Sequence, residues 1–212
     1  MPVRTVVRHF ESTVLFCLLL VPFCAAHEWN HDWDYEETHD QAHDFAAGGT
    51  VHVHMGVGDL HIKRGDSDHI RLHYTVKSRR ERNIKNAQVE FEVHGTEADL
   101  ELHGTTSGNT QFDVELEVPA KTNLDIHEKV GDLTVDEIEG NKDLELGVGD
   151  IRVARENSIY RMVRASTGIG DVSGNGYGES SGWLGKTLKY HGDGQYELRA
   201  RVSVGDITLG DK

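Results

Sequence analysis

Hydrophobic and polar residues alternate along most of the chain beyond residue 50. In His69–Val76 (HIRLHYTV), Ile70, Leu72, Tyr74 and Val76 share one face. Val89, Phe91 and Val93 follow the same rule, as do Phe112, Val114, Leu116 and Val118. Successive side chains leave opposite faces of an extended backbone, so period two over such runs predicts half-buried β-strands. Prolines number only three, glycines fall between the runs, and no long stretch carries a helical period. The expected fold class is all-β.

The alternation is interrupted five times in one way. GVGD occurs at Gly56–Asp59 and Gly147–Asp150, with KVGD ending at Asp132, GIGD at Asp171 and SVGD at Asp206. Before Gly58 the apolar residues are Val51, Val53, Met55 and Val57, all odd; after Asp59 they are Leu60 and Ile62, both even. The same flip runs from Val130 to Leu133, Val148 to Ile151, Ile169 to Val172 and Val204 to Ile207. One regular strand carried through this step would turn its apolar set to water, so a bulge or corner is needed. Glycine can take positive φ there, and aspartate can accept a bond from a nearby backbone N–H. Gly58, Asp59, Gly131, Asp132, Gly149, Asp150, Gly170, Asp171, Gly205 and Asp206 are therefore expected to form structural corners.

Their spacing suggests an architecture. Asp132 to Asp150 is 18 residues and Asp150 to Asp171 is 21, with the remaining gaps near two and four such units. Repeats of this size predict a β-solenoid whose rungs stack in succession over one core. The less regular stretch between Leu60 and Lys121 is expected as an attached meander. A β-sandwich is the alternative, because hairpins at similar spacing alternate equally well.

GGTVHVHMGVGDLHI, the VELEVPAKTNLDI segment at Val114–Ile126 and the repeated Gly-Asp rungs together resemble the DUF4097 family of bacterial adhesin-like proteins. The resemblance runs from about Gly48 to the end of the chain. It implies an exported or envelope-associated β-solenoid, without catalytic residues to carry over.

The N-terminus is read separately. Arg4 and Arg8 precede the apolar run Val14–Val21, and Cys24-Ala25-Ala26 ends in small residues. That order predicts a secretory signal peptide over 1–26, too short for a membrane span. Pro22 and Phe23 stand where a lipidation site needs small residues. Both cysteines, Cys17 and Cys24, fall in this segment, so the exported domain is expected to rely on packing and pairing rather than disulfides. The formal net charge is −14. Without Arg4, Arg8 and Glu11 it is about −15, a surface that repels nucleic acid and anionic lipid. The basic run Lys77–Lys85 lacks interleaved aromatics and is expected as a solvated turn.

Residues 27–47 are expected to be a flexible His- and acid-rich lead-in, and 48–212 the β-domain. His27/His31 and His39/His43 are each four apart, so a helix would bring each pair to one face, where imidazoles suit zinc or copper. The bland reading, a polar segment with no bound metal, ranks ahead; any zinc or copper binding would be weak, and no cofactor is expected. Gly182–Thr187 (GWLGKT) resembles the end of a phosphate loop, but Ser180 stands where the first glycine is required. No G-x-S-x-G is present.

The function expected is an exported, noncatalytic envelope or surface module, adhesin-like, with a periplasmic or extracellular location. The partner would be an unknown envelope or surface component, protein or polysaccharide. No membrane segment follows Leu209, so the mature chain is not expected to anchor itself. The alternatives are a periplasmic metal-binding protein using the histidines, and a polysaccharide-active β-helix enzyme using the corner aspartates as acid and base.

Overall fold

The computed structural model describes residues 33–104, 110–154 and 159–211. The segment expected to be a signal peptide, residues 1–26, and His27 and His31 lie outside them.

The alternating runs form strands, and β2 (Thr50–Gly65) is the template for the rest. Its residues 50–55 pair in parallel with β5 (Glu97–His103) on one side, and 50–57 with β7 (Asn123–Val130) on the other. Beyond Gly58, the same strand pairs with β6 (Thr110–Pro119) and β8 (Leu133–Val135). One chain segment thus serves two sheets, with a bend between. The unit recurs as β7/β8, then as β9 (Lys142–Val148) with β10 (Ile151–Ala154). It recurs again as β11 (Tyr160–Ile169) with β12 (Val172–Gly174), and as β14 (Tyr196–Val204) with β15 (Ile207–Asp211). β5 and β6 make a sixth such rung without a Gly-Asp corner.

Antiparallel strands flank the stack. β4 (Gln88–His94) pairs with β5, and β13 (Thr187–His191) with β11. In the second sheet, β3 (His69–Ser78) pairs with β6, and β1 (Tyr35–Asp44) with β3. The first sheet therefore runs β4-β5-β2-β7-β9-β14-β11-β13 and the second β1-β3-β6-β2-β8-β10-β15-β12. The single helix among the described residues is α1 (Glu81–Lys85), one turn inside the basic run, where Lys85 meets Glu81 at 2.6 Å. The fold is all-β.

Two expectations are corrected here. The rungs do not stack in chain order. β14/β15 inserts between β9/β10 and β11/β12, and β2 lies between β5/β6 and β7/β8. The 73-residue gap between Asp59 and Asp132 is not four rungs. The chain leaves β2, builds β3 to β6 beyond it, and returns on its other side. The lead-in is also structured where described. Residues 35–44 are a strand, not a helix or a flexible tail, and Phe45 joins the core. Glu36, Glu37, Asp40 and Asp44 line this outer strand, and charge on an edge discourages pairing with another chain.

The core lies on the inner faces of the rungs. Val51, Val53 and Met55 are buried before the bend, and Leu60 and Ile62 after it. Each such apolar side chain contributes about 1.5–3 kcal/mol on burial. In the five Gly-Asp rungs the last inward position before the bend and the first after it are five residues apart: 55 and 60, 128 and 133, 146 and 151, 167 and 172, 202 and 207. An odd step inverts parity, which explains the flip. It also corrects a detail. The residue directly before each Gly-Asp is not core: Val57, Val130, Val148, Val204 and Ile169 are 42–52 % exposed. They occupy the outside of the bend and face one another on neighbouring strands.

Candidate functional site: a trench across the parallel strands

The bend itself repeats one device. Gly149, Gly170 and Gly205 take φ of 132°, 135° and 136°, a region that side chains with a Cβ resist. Space is as decisive as conformation. A Cβ on Gly149 would overlap the carbonyl oxygen of Gly131, and one on Gly205 that of Gly149. The aspartates bond across rungs rather than locally, as the chain pattern had suggested. The backbone N–H of Asp132 donates to Asp59 Oδ1 (3.1 Å), Asp150 to Asp132 Oδ1 (3.0 Å), Asp206 to Asp150 Oδ1 (3.0 Å) and Asp171 to Asp206 Oδ1 (2.8 Å). Arg152 adds a bond to Asp150 Oδ2 at 2.9 Å. One oxygen of each of the Asp59, Asp132, Asp150 and Asp206 carboxylates is thus committed to the stack, and Asp171 enters it through its N–H.

Immediately before the bend, on the outer face of the first sheet, a trench of about 1010 Å³ crosses all six parallel strands. Three consecutive residues of each strand line it: 101–103, 54–56, 127–129, 145–147, 201–203 and 166–168, in spatial order. Gly56, Gly147 and Gly168 occupy one row, so the trench floor lacks side chains on three of its strands. Beside that row stand His54, His127, Glu145, Arg201 and Ser166, partners in register on adjacent strands.

These side chains form a linked surface. The rings of His54 and His127 stack at 5.2 Å with 7° between planes. His127 Nδ1 lies 3.0 Å from Glu145 Oε2, and Arg201 Nε donates to Glu145 Oε1 at 2.7 Å. Arg201 Nη2 also donates to Asp143 Oδ1 at 3.1 Å. The guanidinium beside Glu145 holds its carboxyl below the usual range, with His127 assisting. The chain of contacts continues from His127 through Asp125 to His52 and Glu97, each link between 3.1 and 3.2 Å. Rigid strands and mutual bonding preset this surface for recognition, since little side-chain freedom is left to lose on binding.

Glu128 sits among the same strands but on the opposite face. It occupies the inward row between Met55 and Leu146, is 4 % exposed, and neither carboxyl oxygen has a hydrogen-bond partner among the described residues. Its carboxyl presses against Gly131 beneath the bend. Burial pushes its pKa up to about 8, with the charges of Asp59 and Asp132 adding to the effect.

His39 and His43 are both in β1. Four residues along a strand separate them by about 13 Å, against roughly one turn of a helix, so they do not converge on one ion. His39 stacks on Tyr74 at 5.0 Å and lies 3.0 Å from Glu37; His43 meets the edge of Phe91 at 5.2 Å. Among the described residues, no group of three or more His, Cys, Asp or Glu side chains is placed to hold a metal. Gly182–Thr187 forms the approach to β13, a strand, where a phosphate loop requires a helix. The trench residues were not singled out by any motif. Their trace in the sequence is the polar half of the alternation: HVH in β2, DIHE in β7, LEL in β9 and RAR in β14.

No helix among the described residues is long and apolar enough to cross a membrane. No family model matches the chain, and no curated protein does either. Among solved structures, a "putative cell adhesion protein" from Clostridium sporogenes is 18 % identical, with a TM-score of 0.52 over 83 % of this chain and 100 % of that one. A "putative adhesin" from Bacteroides fragilis is 13 % identical over 82 % of this chain and 97 % of its own, at a TM-score of 0.36. The Clostridium sporogenes likeness places this chain in an all-β fold already seen in a solved structure.

Proposed function

We propose that this chain is an exported, noncatalytic envelope or surface module, adhesin-like, which holds its partner along the trench. The observation that carries this reading is the trench itself, continuous over six rungs and lined by side chains already bonded to one another. The rung stack supports a solenoid-like role, in which a repeated frame displays a varied outer row. The name of the Clostridium sporogenes protein agrees with it, as does the resemblance to the DUF4097 family. The signal-like N-terminus and the acidic surface support an exported, periplasmic or extracellular location.

The rival reading, a polysaccharide-cleaving enzyme, needs an acid with a raised pKa and an ionised carboxylate flanking one bond. Glu128 and Glu145 have the right tendencies. They project from opposite faces of the sheet, however, and cannot flank one bond. The corner aspartates Asp59, Asp132, Asp150 and Asp206 are engaged by backbone N–H groups of the next rung, which suits architecture rather than proton transfer.

The test is to pass solubilised envelope from the source cell over the immobilised exported protein, and to assay the flow-through for cleavage products. Selective retention of one component without turnover is expected. Release of fragments from an envelope polysaccharide would overturn the noncatalytic reading, and failure to retain anything would overturn the module reading.

A further inference from the structure

We propose that the trench takes a linear, uncharged polysaccharide laid across the strands, with about one sugar per rung; this rests on the module reading above. Length and period favour a sugar chain. Six parallel strands spaced about 4.8 Å apart give a trench about 24 Å long, with a fresh set of side chains at each step. That step is close to the length of one pyranose in an extended chain. An extended peptide repeats its backbone about every 3.4 Å and falls out of step. A peptide crossing the strands also finds their backbone N–H and C=O groups already paired sideways, so it cannot join as an added strand.

Charge favours a neutral ligand. Among the outward-facing side chains of the trench, Glu101 and Glu145 offset Lys129 and Arg201, while the Glu128 side chain is buried on the opposite face, so nothing outward selects an ionic ligand. The chain as a whole carries −14 and repels polyanions. What remains on offer is hydrogen bonding from carboxylate and guanidinium groups, which present neighbouring acceptors or donors that match pairs of hydroxyls, and from single imidazole nitrogens. An exposed indole lies two residues along the chain from the backbone at the trench's end. Trp183 is 96 % exposed, two residues from Gly185, whose backbone lies against Thr167 and Gly168 where the trench ends. A solvent-facing indole offers a flat apolar face to a sugar ring.

The experiment is calorimetric titration of the exported protein with neutral β-1,4-glucan, β-1,3-glucan and α-1,6-mannan oligomers from dimer to hexamer. A hexauronate and an uncharged hexapeptide serve as comparators. Affinity for at least one neutral series should rise with each added sugar and level off near the hexamer, and the hexauronate should bind about tenfold more weakly or worse. Ser203→Trp fills the exposed floor and should abolish binding; Arg201→Ala should weaken it about tenfold and Trp183→Ala about threefold. Melting curves confirm that each variant is folded. Absence of binding by every neutral oligomer, binding that survives both Ser203→Trp and Arg201→Ala, or equal binding of the hexapeptide would each overturn the proposal. If envelope material is still retained while the oligomers are not, the ligand class fails and the module reading stands; if neither binds, both fail.

Discussion

Two rows of residues cross the same strands within a few ångströms of each other, and they are built on opposite plans. In the corner row five of the six rungs place Gly-Asp, and Asp59, Asp132, Asp150 and Asp206 each accept the same bond from a backbone N–H of the next rung. In the trench row no two successive rungs agree after the two histidines: His54 and His127 are followed by Glu145, Arg201 and Ser166. Uniformity solves a problem that every rung shares, namely how to turn without burying a polar face or exposing an apolar one. Variety has no such structural cause, because outward side chains on a sheet are free to differ. The contrast separates frame from surface within one molecule.

The contrast breaks most sharply at Gly149. Gly149→Val would drive a β-branched side chain into the Gly131 carbonyl at a disfavoured φ, costing on the order of 3–5 kcal/mol. Gly56→Ala in the trench row meets only the Leu102 carbonyl oxygen at 3.9 Å and should cost less than about 1 kcal/mol. Chemical denaturation of the two variants side by side reads the difference. Equal costs would erase the distinction between the rows.

Glu128 is the exception within the frame. A buried carboxyl whose pKa rises from 4.5 to about 8 on folding holds its proton more tightly in the native state. Its contribution to stability is full below about pH 4.5 and is lost as pH climbs through about 8. Glu128→Met would match the apolar neighbours Met55 and Leu146, stabilising the protein by about 1–3 kcal/mol near pH 8 and by little near pH 4. Melting temperatures across that range should therefore fall less steeply for the variant. A parallel offset at all pH values would show that the carboxyl is not the titrating group.

Asp150→Ala removes the acceptor for the Asp206 N–H and the partner of Arg152, and should cost about 1–2 kcal/mol. Asp150→Asn keeps an acceptor oxygen and should lose less than half of that. The smallest effect is expected in the trench. Arg201→Ala breaks exposed ion pairs to Glu145 and Asp143, worth at most about 1 kcal/mol. Its melting curve should nearly overlay that of the parent, although its ligand binding suffers.

Alternation and the Gly-Asp parity step were legible because both are properties of a local stretch of backbone. A strand buries every second residue wherever it lies, and an odd step inverts that count whatever the neighbours are. The sequence by itself thus determined an all-β fold with bends at five places, and the positions of most of the core. Tertiary structure alone decided which rung lies beside which. Parallel pairing joins segments far apart in the chain, and the 18-residue spacing of one pair does not dictate the placement of β14/β15 inside β11/β12. The exposure of Val57 and its four counterparts, the burial of Glu128 and the cross-rung bonds of the aspartates follow from that placement. So does the trench. Its residues come from six strands whose order in space differs from their order in sequence, and only lateral hydrogen bonding brings them into one line.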